Sequence, residues 1–508
     1  MYSVVSCAIV HGIDSILVRA ETDLSSGLPV FEMVGFLGSE VKEARERVRT
    51  AMINCGYSLP IKRITVNLSP ANIRKSGSGF DLPIAISILA AMGVISKSDL
   101  TDVVVVGELG LNGNIYPVTG VLPMILAASD CGKRTCLVPV DNYREASLVP
   151  DMEIVAVRDL SEAVAYLNGE GIPEHRSEGV ITEEEEVSDF KFINGQRLLR
   201  RACEVAAAGL HNILMIGPPG SGKTMIARCI PTILPPMNLK EQMELSKIYS
   251  VCGKFDERSS LMDKRPFRAP HHSISQAGLV GGGQVPHPGE VSLAHGGVLF
   301  LDELTEFNRS TMESLRAPLE DRQVTVVRVN GSFTYPAQFM LVAAMNPCRC
   351  GYFPDLKRCS CTQAQIERYL GRISQPMLDR MDICVEAPRL EFKELHGGDG
   401  NECSEAIRDR VLCALMLQKK RFAGTEIGYN SRIPARDIET YCRLGSKEEK
   451  FMEDMYQKLS LTARTYHKLL RVARTIADLD GGGDIRISHL TECICYRTIE
   501  KTDWEQKG

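Results

Sequence analysis

The chain has 508 residues, of which 44% are hydrophobic and 24% are charged. This length exceeds the usual size of a single domain, so we expect two or three separate hydrophobic cores. No apolar run approaches the roughly 20 residues of a membrane-spanning helix, so we expect no membrane partner. The formal net charge of -5 argues against a generally basic nucleic-acid coat but is compatible with a local basic channel.

The first residues and the cysteines predict the cellular compartment. The stretch that begins at Met1 lacks the basic and long apolar segments of a secretory signal, so we expect a cytoplasmic protein. The 17 cysteines should then be reduced thiols or metal ligands rather than a disulfide framework.

Strand and helix patterns alternate over residues 1–166 and predict an α/β domain. The strand-like runs cover 4–10, 15–20, 30–34, 64–68, 103–107 and 136–140, and the helical patterns cover 41–54, 82–92 and 122–128. The apolar pattern then fades into an acidic run at 183–186. Residues 167–188 are therefore predicted to form an acidic, solvated linker.

A glycine-rich loop follows the apolar run 213–216 and precedes a helical pattern. It matches G-x-x-x-x-G-K-[ST], in which backbone amides and a helix N-terminus bind the phosphates of ATP. We expect Lys223 to reach the β- and γ-phosphates and the Thr224 hydroxyl to bind Mg²⁺. The residues of this predicted P-loop are Gly217, Pro218, Pro219, Gly220, Ser221, Gly222, Lys223 and Thr224.

Two further apolar runs end in polar side chains that suit ATP hydrolysis. The run 298–301 ends at Asp302, a predicted Mg²⁺ ligand, and at Glu303, the predicted base for the attacking water. The run 341–345 ends at Asn346, whose amide can orient the same water. Beyond residue 388 the helical patterns 404–420, 448–458 and 463–479 predict a small closing helical domain.

Several motifs resemble those of the magnesium-chelatase-like AAA+ ATPases of the ComM (YifB) group. They are AAGLHN at 207–212, FRAPHH at 267–272, PGEVSLAH at 288–295, GGVLFLDE at 296–303, MNPC at 345–348 and LRVARTIADL at 470–479. This likeness covers nearly the whole chain. It implies a P-loop AAA+ α/β core at 189–388 and a helical lid at 389–508, in a protein that uses ATP and Mg²⁺.

The resemblance also implies a homo-oligomeric ring, a hexamer, with ATP bound between subunits. Arg380, within LDRMD, resembles the family's arginine finger, which stabilises charge on the transferred phosphoryl group. Arg464 resembles the second sensor arginine of the helical lid. An interdomain salt bridge is the alternative role for either arginine.

The N-terminal region resembles the Lon-protease-like fold, in which a Ser–Lys pair hydrolyses peptides. Gly79 stands where the serine is expected and Met124 where the lysine is expected. Because acyl-enzyme chemistry needs an activated nucleophile, the resemblance implies a non-proteolytic domain. Arg74 and Lys75 are predicted to lie in a solvated turn.

Four cysteines fall between residues 348 and 361, namely Cys348, Cys350, Cys359 and Cys361. Four thiolates suit a tetrahedral Zn²⁺ ion, which would staple the loop after Asn346. Free thiols or a redox-active loop remain the alternative, because C-x-C is tighter than the usual zinc spacing.

Residues 323–335 predict a β-hairpin, and in related ring motors an equivalent hairpin projects into the central pore. Arg322 and Arg328 are then candidates for contacts with DNA phosphates. A second predicted insert into the same channel contains Phe267, Arg268, His271 and His272. Structural packing of these side chains is an equal alternative, since no dense Lys/Arg stripe is present.

The resemblance implies an ATP-driven motor that acts on branched or single-stranded DNA, in branch migration of recombination intermediates during natural transformation. A magnesium-chelatase-type ATPase subunit and a protein remodeller are the alternatives. The Lon-like domain favours the DNA motor. ATPase rates measured with branched DNA, single-stranded DNA and unfolded protein would separate the three.

Overall fold

The computed structural model describes residues 1–96, 100–171, 188–255, 261–283, 286–328, 331–389 and 401–497. The acidic run at 183–186 and residues 329–330 of the predicted β-hairpin lie outside the described residues. Within those ranges, every helix is too short or too polar to cross a bilayer.

The strands are β1 (Tyr2–His11), β2 (Asp14–Ser25), β3 (Phe31–Val34), β4 (Arg63–Ser69), β5 (Val103–Val105), β6 (Glu108–Leu109), β7 (Ile115–Tyr116), β8 (Thr135–Pro139), β9 (Glu153–Val157), β10 (Ile213–Ile216), β11 (Phe267–Arg268), β12 (Gly281–Gly282), β13 (His287–Pro288), β14 (Val298–Leu301), β15 (Gln323–Arg328), β16 (Gly331–Pro336), β17 (Met340–Met345) and β18 (Ile383–Glu386).

The helices are α1 (Ser39–Asn54), α2 (Asp81–Met92), α3 (Val121–Asp130), α4 (Tyr143–Ala146), α5 (Leu160–Leu167), α6 (Arg197–Gly209), α7 (Lys223–Ile233), α8 (Leu239–Val251), α9 (Gln276–Val280), α10 (Glu290–Leu293), α11 (Arg309–Glu313), α12 (Arg316–Asp321), α13 (Gln363–Leu370), α14 (Gln375–Leu378), α15 (Ser404–Arg421), α16 (Ile438–Tyr441), α17 (Ser446–Lys458), α18 (Ala463–Leu479) and α19 (Ile487–Cys495).

The N-terminal region contains a seven-stranded mixed sheet in the order β3-β4-β2-β1-β5-β8-β9. Strands β1 and β2 pair antiparallel along their length, whereas β5, β8 and β9 are parallel. Helix α2, buried from Asp81 to Ala91, packs on β1 and β2. Every strand and helix predicted in this region is present, and the structure adds β6, α4, β9 and α5, which sequence patterns had not indicated.

The second sheet is fully parallel, in the order β11-β14-β17-β10-β18. All residues of β10, β14 and β17 are buried, which explains their continuous apolar sequences. Because these strands run in the same direction, the residues that follow them meet at one edge of the sheet.

The helices beyond residue 401 share a hydrophobic core with that sheet. Helix α15 packs on α6 and α7, and α18 packs on α6 and α15. A buried hydrogen bond of 2.8 Å joins His211 Nε2, just before β10, to Thr475 Oγ1 on α18. The predicted helical segment is therefore attached to the five-stranded parallel sheet on the side of α6.

The turn between β1 and β2 contacts the hairpin formed by β15 and β16. The ring of His11 lies 4.8 Å from that of Phe333, and Lys247 on α8 donates a 2.9 Å hydrogen bond to Asp14. The predicted hairpin is confirmed, and one of its strands lies against the N-terminal region.

Candidate active site

The ammonium group of Lys223 is held inside the P-loop. Its Nζ atom donates to the carbonyl oxygens of Gly217 and Pro218 at 2.8 and 2.9 Å, and Asn346 Oδ1 lies 3.5 Å away. Burial lowers the pKa of Lys223, while the nearby charge of Asp302 opposes that shift. A partly desolvated cation in this position can exchange weak carbonyl partners for phosphate oxygens.

Thr224 and Asp302 come together although 78 positions separate them. The Thr224 hydroxyl donates a 2.8 Å hydrogen bond to Asp302 Oδ2. A hydroxyl and a carboxylate oxygen are ligands that suit Mg²⁺. The pair lies where the start of α7 meets the end of β14, so these residues fit the predicted metal-binding role.

Glu303 leaves the end of β14 in an unusual backbone conformation. Its φ of 51° lies in the left-handed region, which is uncommon for a residue other than glycine and is often found at functional sites. Its amide donates a 2.9 Å hydrogen bond to Asp302 Oδ1, and 59% of its side chain is exposed. The carboxylate is thus free to meet a solvent molecule beside the P-loop.

A histidine that sequence reasoning had placed elsewhere lies beside Glu303. His272 Nδ1 is 3.7 Å from Glu303 Oε2, and its ring lies 4.0 Å from that of His271. The prediction of a pore insert is wrong for Phe267 and Arg268, because these residues form β11, the edge strand that pairs with β14. Strand pairing then carries the following histidines towards the acidic pair.

Arg268 forms an ion pair within its own chain. Its Nε and Nη2 atoms donate to the two carboxylate oxygens of Glu290 at 2.7 and 2.9 Å. This bidentate ion pair ties the edge strand to α10. The sequence alone did not indicate this ion pair, because Glu290 lies 22 positions from Arg268.

Arg380 and Arg464 form one cluster with acidic side chains. Arg380 forms an ion pair with Glu320 and donates a 2.6 Å hydrogen bond to the Pro376 carbonyl oxygen. Arg464 lies 3.7 Å from the same Glu320 and 3.5 Å from Asp379. Burial lowers the pKa of Arg380, and Glu320 opposes that shift.

This arginine cluster and the P-loop lie at opposite ends of the sheet. The Asn212 side chain donates a 2.9 Å hydrogen bond to the Arg380 carbonyl oxygen, and Asn212 directly precedes β10. The P-loop begins after β10, and four strand residues rise about 13 Å. The backbone of Arg380 is therefore separated from the P-loop of its own chain by about the length of β10.

The candidate DNA contacts have different surroundings. Arg328, on the exposed side of β15, donates to the Gly283 carbonyl oxygen at 3.0 Å. Arg322 is half-buried, and burial lowers its pKa. It lines a cavity of about 470 Å³ together with Arg265, His295 and Tyr429.

In the N-terminal region, the prediction of a solvated turn is wrong for Lys75. Its side chain is fully buried, and its Nζ donates to the Pro70 carbonyl oxygen. Met124 is 6% exposed within a hydrophobic cluster under α3. The residue at the expected lysine position is therefore a core side chain.

The four cysteines predicted as metal ligands converge. Their Sγ atoms all lie within 4.8 Å of one another, in the loop between β17 and α13. Cys348 is buried and the other three are half-buried. Sequence spacing had suggested this group, and folding of the loop brings Cys348 and Cys350 next to Cys359 and Cys361.

The parallel sheet, the P-loop and the acidic pair define a magnesium-chelatase-like protein of the AAA+ class. Family models match in three successive parts: subunit ChlI of Mg-chelatase over 20–142, magnesium chelatase subunit ChlI over 189–395, and the C-terminal part of that subunit over 401–497. The first two matches fall on the mixed α/β parts of the chain and the third on the helices beyond residue 401. The family suggests ATPase activity.

Individual relatives narrow the class to one family. The chain is 43% identical over 496 residues to competence protein ComM of Haemophilus influenzae, covering 96% of each chain. It is 40% identical over 503 residues to YifB of Salmonella typhimurium, covering 98% of each. The chain therefore belongs to the ComM/YifB family of magnesium-chelatase-like proteins. A partial match, 34% identical over 152 residues, relates 28% of the chain to Lon protease 2 of Bacillus subtilis.

Proposed function

We propose that this chain hydrolyses ATP with Mg²⁺ as one subunit of a hexameric ring that moves DNA. The observation that carries the ATPase proposal is the convergence of three strand ends on one site. Lys223 and Asn346 approach within 3.5 Å, and Thr224 contacts Asp302 at 2.8 Å. These are the groups that phosphoryl transfer requires at a P-loop.

Each residue of the site has a separate task in this proposal. The P-loop amides and Lys223 bind the phosphates, and Thr224 and Asp302 hold Mg²⁺, which neutralises developing charge. Glu303 accepts a proton from the attacking water, and Asn346 orients that water. His272, 3.7 Å from Glu303, positions the carboxylate between turnovers.

The placement of Arg380 supports a shared site. It lies at the end of the sheet opposite its own P-loop, so its guanidinium can act on phosphate only in a neighbouring subunit. Arg464 shares Glu320 with it and would reach the same neighbour. In the monomer Glu320 neutralises both cations, and ring closure would exchange this carboxylate for the neighbour's phosphates.

We propose the domain division 1–166, 167–188, 189–388 and 389–508, with the last segment as the lid. The first domain serves as a non-proteolytic platform, because Gly79 and Met124 supply neither nucleophile nor base. His11, at the turn between β1 and β2, packs against Phe333 of the β15–β16 hairpin and would support the hairpin. ATP-dependent peptide products that require this domain would contradict the platform role.

DNA is the proposed track, and branch migration of recombination intermediates during natural transformation is the proposed process. The name of the Haemophilus relative, competence protein ComM, supports this choice over a chelatase subunit or a protein remodeller. The hairpin supplies exposed residues for the pore, among them Val327, which is 66% exposed.

The ATPase rate measured with different substrates tests whether the ring acts on DNA. The purified ring should hydrolyse ATP faster with branched or single-stranded DNA than with unfolded protein or a porphyrin. A Lys223→Ala ring, which lacks the phosphate-binding ammonium group, should hydrolyse no ATP with any of these substrates. Lys240→Ala, at the exposed start of α8, is the matched control. Stimulation by unfolded protein alone would refute the DNA motor.

A further inference from the structure

The four cysteines after β17 are arranged for a single metal ion. Cys348 Sγ lies 3.3 Å from Cys350 Sγ and 3.8 Å from Cys359 Sγ, and the last two atoms lie 3.5 Å apart. A tetrahedral zinc site with Zn–S bonds of about 2.3 Å has sulfur–sulfur distances of about 3.8 Å. The three observed distances are close to that value. All four Sγ atoms, including that of Cys361, lie within 4.8 Å of one another.

The loop that carries the cysteines contains no regular secondary structure and has a small hydrophobic core. Between β17 and α13 the chain forms turns without a helix or strand. Its hydrophobic cluster contains three buried residues, Cys348, Phe353 and Ile366. A bound metal commonly stabilises a segment with so small a core.

The same loop packs directly on the phosphate-binding loop. At Gly351, where φ is +83°, an added Cβ would lie 2.5 Å from Cδ of Pro219. Only glycine allows this backbone to approach the P-loop so closely. Asn346, near Lys223, lies two positions before Cys348. A solvent-open cavity of about 410 Å³ lies between this loop, the P-loop and the end of β18.

We propose that Cys348, Cys350, Cys359 and Cys361 bind one Zn²⁺ ion as thiolates, and that the ion holds the loop against Pro219 so that zinc loading strengthens nucleotide binding. The four thiols release their protons to solvent as the ion binds. Zinc binding stands on the cysteine cluster alone. The proposed effect of zinc on nucleotide affinity rests on the proposed function.

Metal content tests the first part. The full chain, purified without added metal, should contain about one zinc per chain by elemental analysis. Cys359→Ser should lose it, whereas Cys413→Ser, at an exposed cysteine on α15, should retain it. Absence of zinc after reconstitution, iron in its place, or full zinc in Cys359→Ser would overturn the assignment.

Nucleotide affinity tests the second part. Titration with a fluorescent ATP analogue should show binding about tenfold weaker after zinc is stripped from the wild-type ring, and recovery when zinc is returned. This reversible comparison does not depend on a variant that folds poorly. Unchanged affinity in a ring shown to be free of zinc would overturn the coupling. A wild-type ring that binds no nucleotide would refute the proposed ATPase while leaving the zinc result intact.

A glycine substitution separates the metal from the contact. Gly351→Ala keeps all four cysteines but pushes a methyl group into Pro219, so it should retain zinc and bind nucleotide about tenfold more weakly. Gly424→Ala is the matched control, because Gly424 also has a positive φ, +80°, but has no atom within 4 Å of an added Cβ. Equal affinities in the two variants would show that the loop does not act through Pro219.

Discussion

The hydroxyl of Thr224 donates a 2.8 Å hydrogen bond to Asp302 across the edge of the parallel sheet. Thr224 lies in the first turn of α7, which follows β10 and the P-loop, and Asp302 directly follows β14. Both strands are buried along their whole length. A rigid pair of this kind presents two oxygen ligands to Mg²⁺ with little reorganisation.

Replacing Asp302 by Asn should weaken Mg²⁺ binding, because a neutral amide oxygen attracts a divalent cation less than a carboxylate does. We expect the Mg²⁺ concentration for half-maximal ATPase to rise at least about tenfold. The measurement is ATPase rate against Mg²⁺ at fixed ATP. Asp263→Asn, in the loop after α8, serves as control, and an unchanged Mg²⁺ requirement in Asp302→Asn would argue against metal binding there.

Replacing Glu303 by Gln should leave nucleotide binding intact and slow turnover by about 10²- to 10⁴-fold, the range for loss of a general base. Single-turnover hydrolysis together with an ATP-analogue titration separates the two effects. Glu306→Gln, three positions away in an ion pair with Arg372, is the control. Near-normal turnover in Glu303→Gln would remove its assignment as base.

An Arg380→Ala chain should bind ATP but hydrolyse it roughly 10³-fold more slowly, the loss expected for an arginine finger. Mixed with Lys223→Ala chains, it should regain activity at interfaces where its intact P-loop meets the other chain's Arg380. Arg436→Ala, whose side chain is 84% exposed, should match wild type.

The mixing result is decisive because each mutant alone is inactive. Recovered turnover can arise only at a site built from two chains. No recovery in rings shown to contain both chains would mean that Arg380 has only the structural ion pair with Glu320.

Replacing Arg328 by Ala should weaken DNA binding without changing basal ATPase activity. Its guanidinium lies on the exposed hairpin strand and contacts the carbonyl oxygens of Gly283 and Val327, which are not residues of the proposed nucleotide site. Loss of one phosphate contact should reduce the slope of log affinity against log salt by about 1. DNA binding measured from low to high salt provides the test. Arg63→Ala, on β4 of the other sheet, is the control, and equal slopes would exclude Arg328 from the DNA path.

Local patterns in the sequence determined the elements and much of the site. The continuous apolar runs before Gly217, Asp302 and Asn346 are parallel strands in the structure, since strands buried on both faces carry no polar alternation. Motif spacing also predicted the β15–β16 hairpin. The short segments β9, α5 and β11 were missed or misassigned, because a few residues carry too little periodicity to identify an element.

Tertiary structure alone decided which distant charges meet. Nothing in the spacing indicated that Arg268 pairs with Glu290, that His272 lies beside Glu303, or that Arg380 and Arg464 share Glu320 at the end of the sheet away from the P-loop. A motif specifies the chemistry of a side chain over a few residues. The partner of that side chain depends on strand order and helix packing, which are set by burial of the whole core. The same packing places Lys75 inside the protein and Pro219 against the cysteine loop.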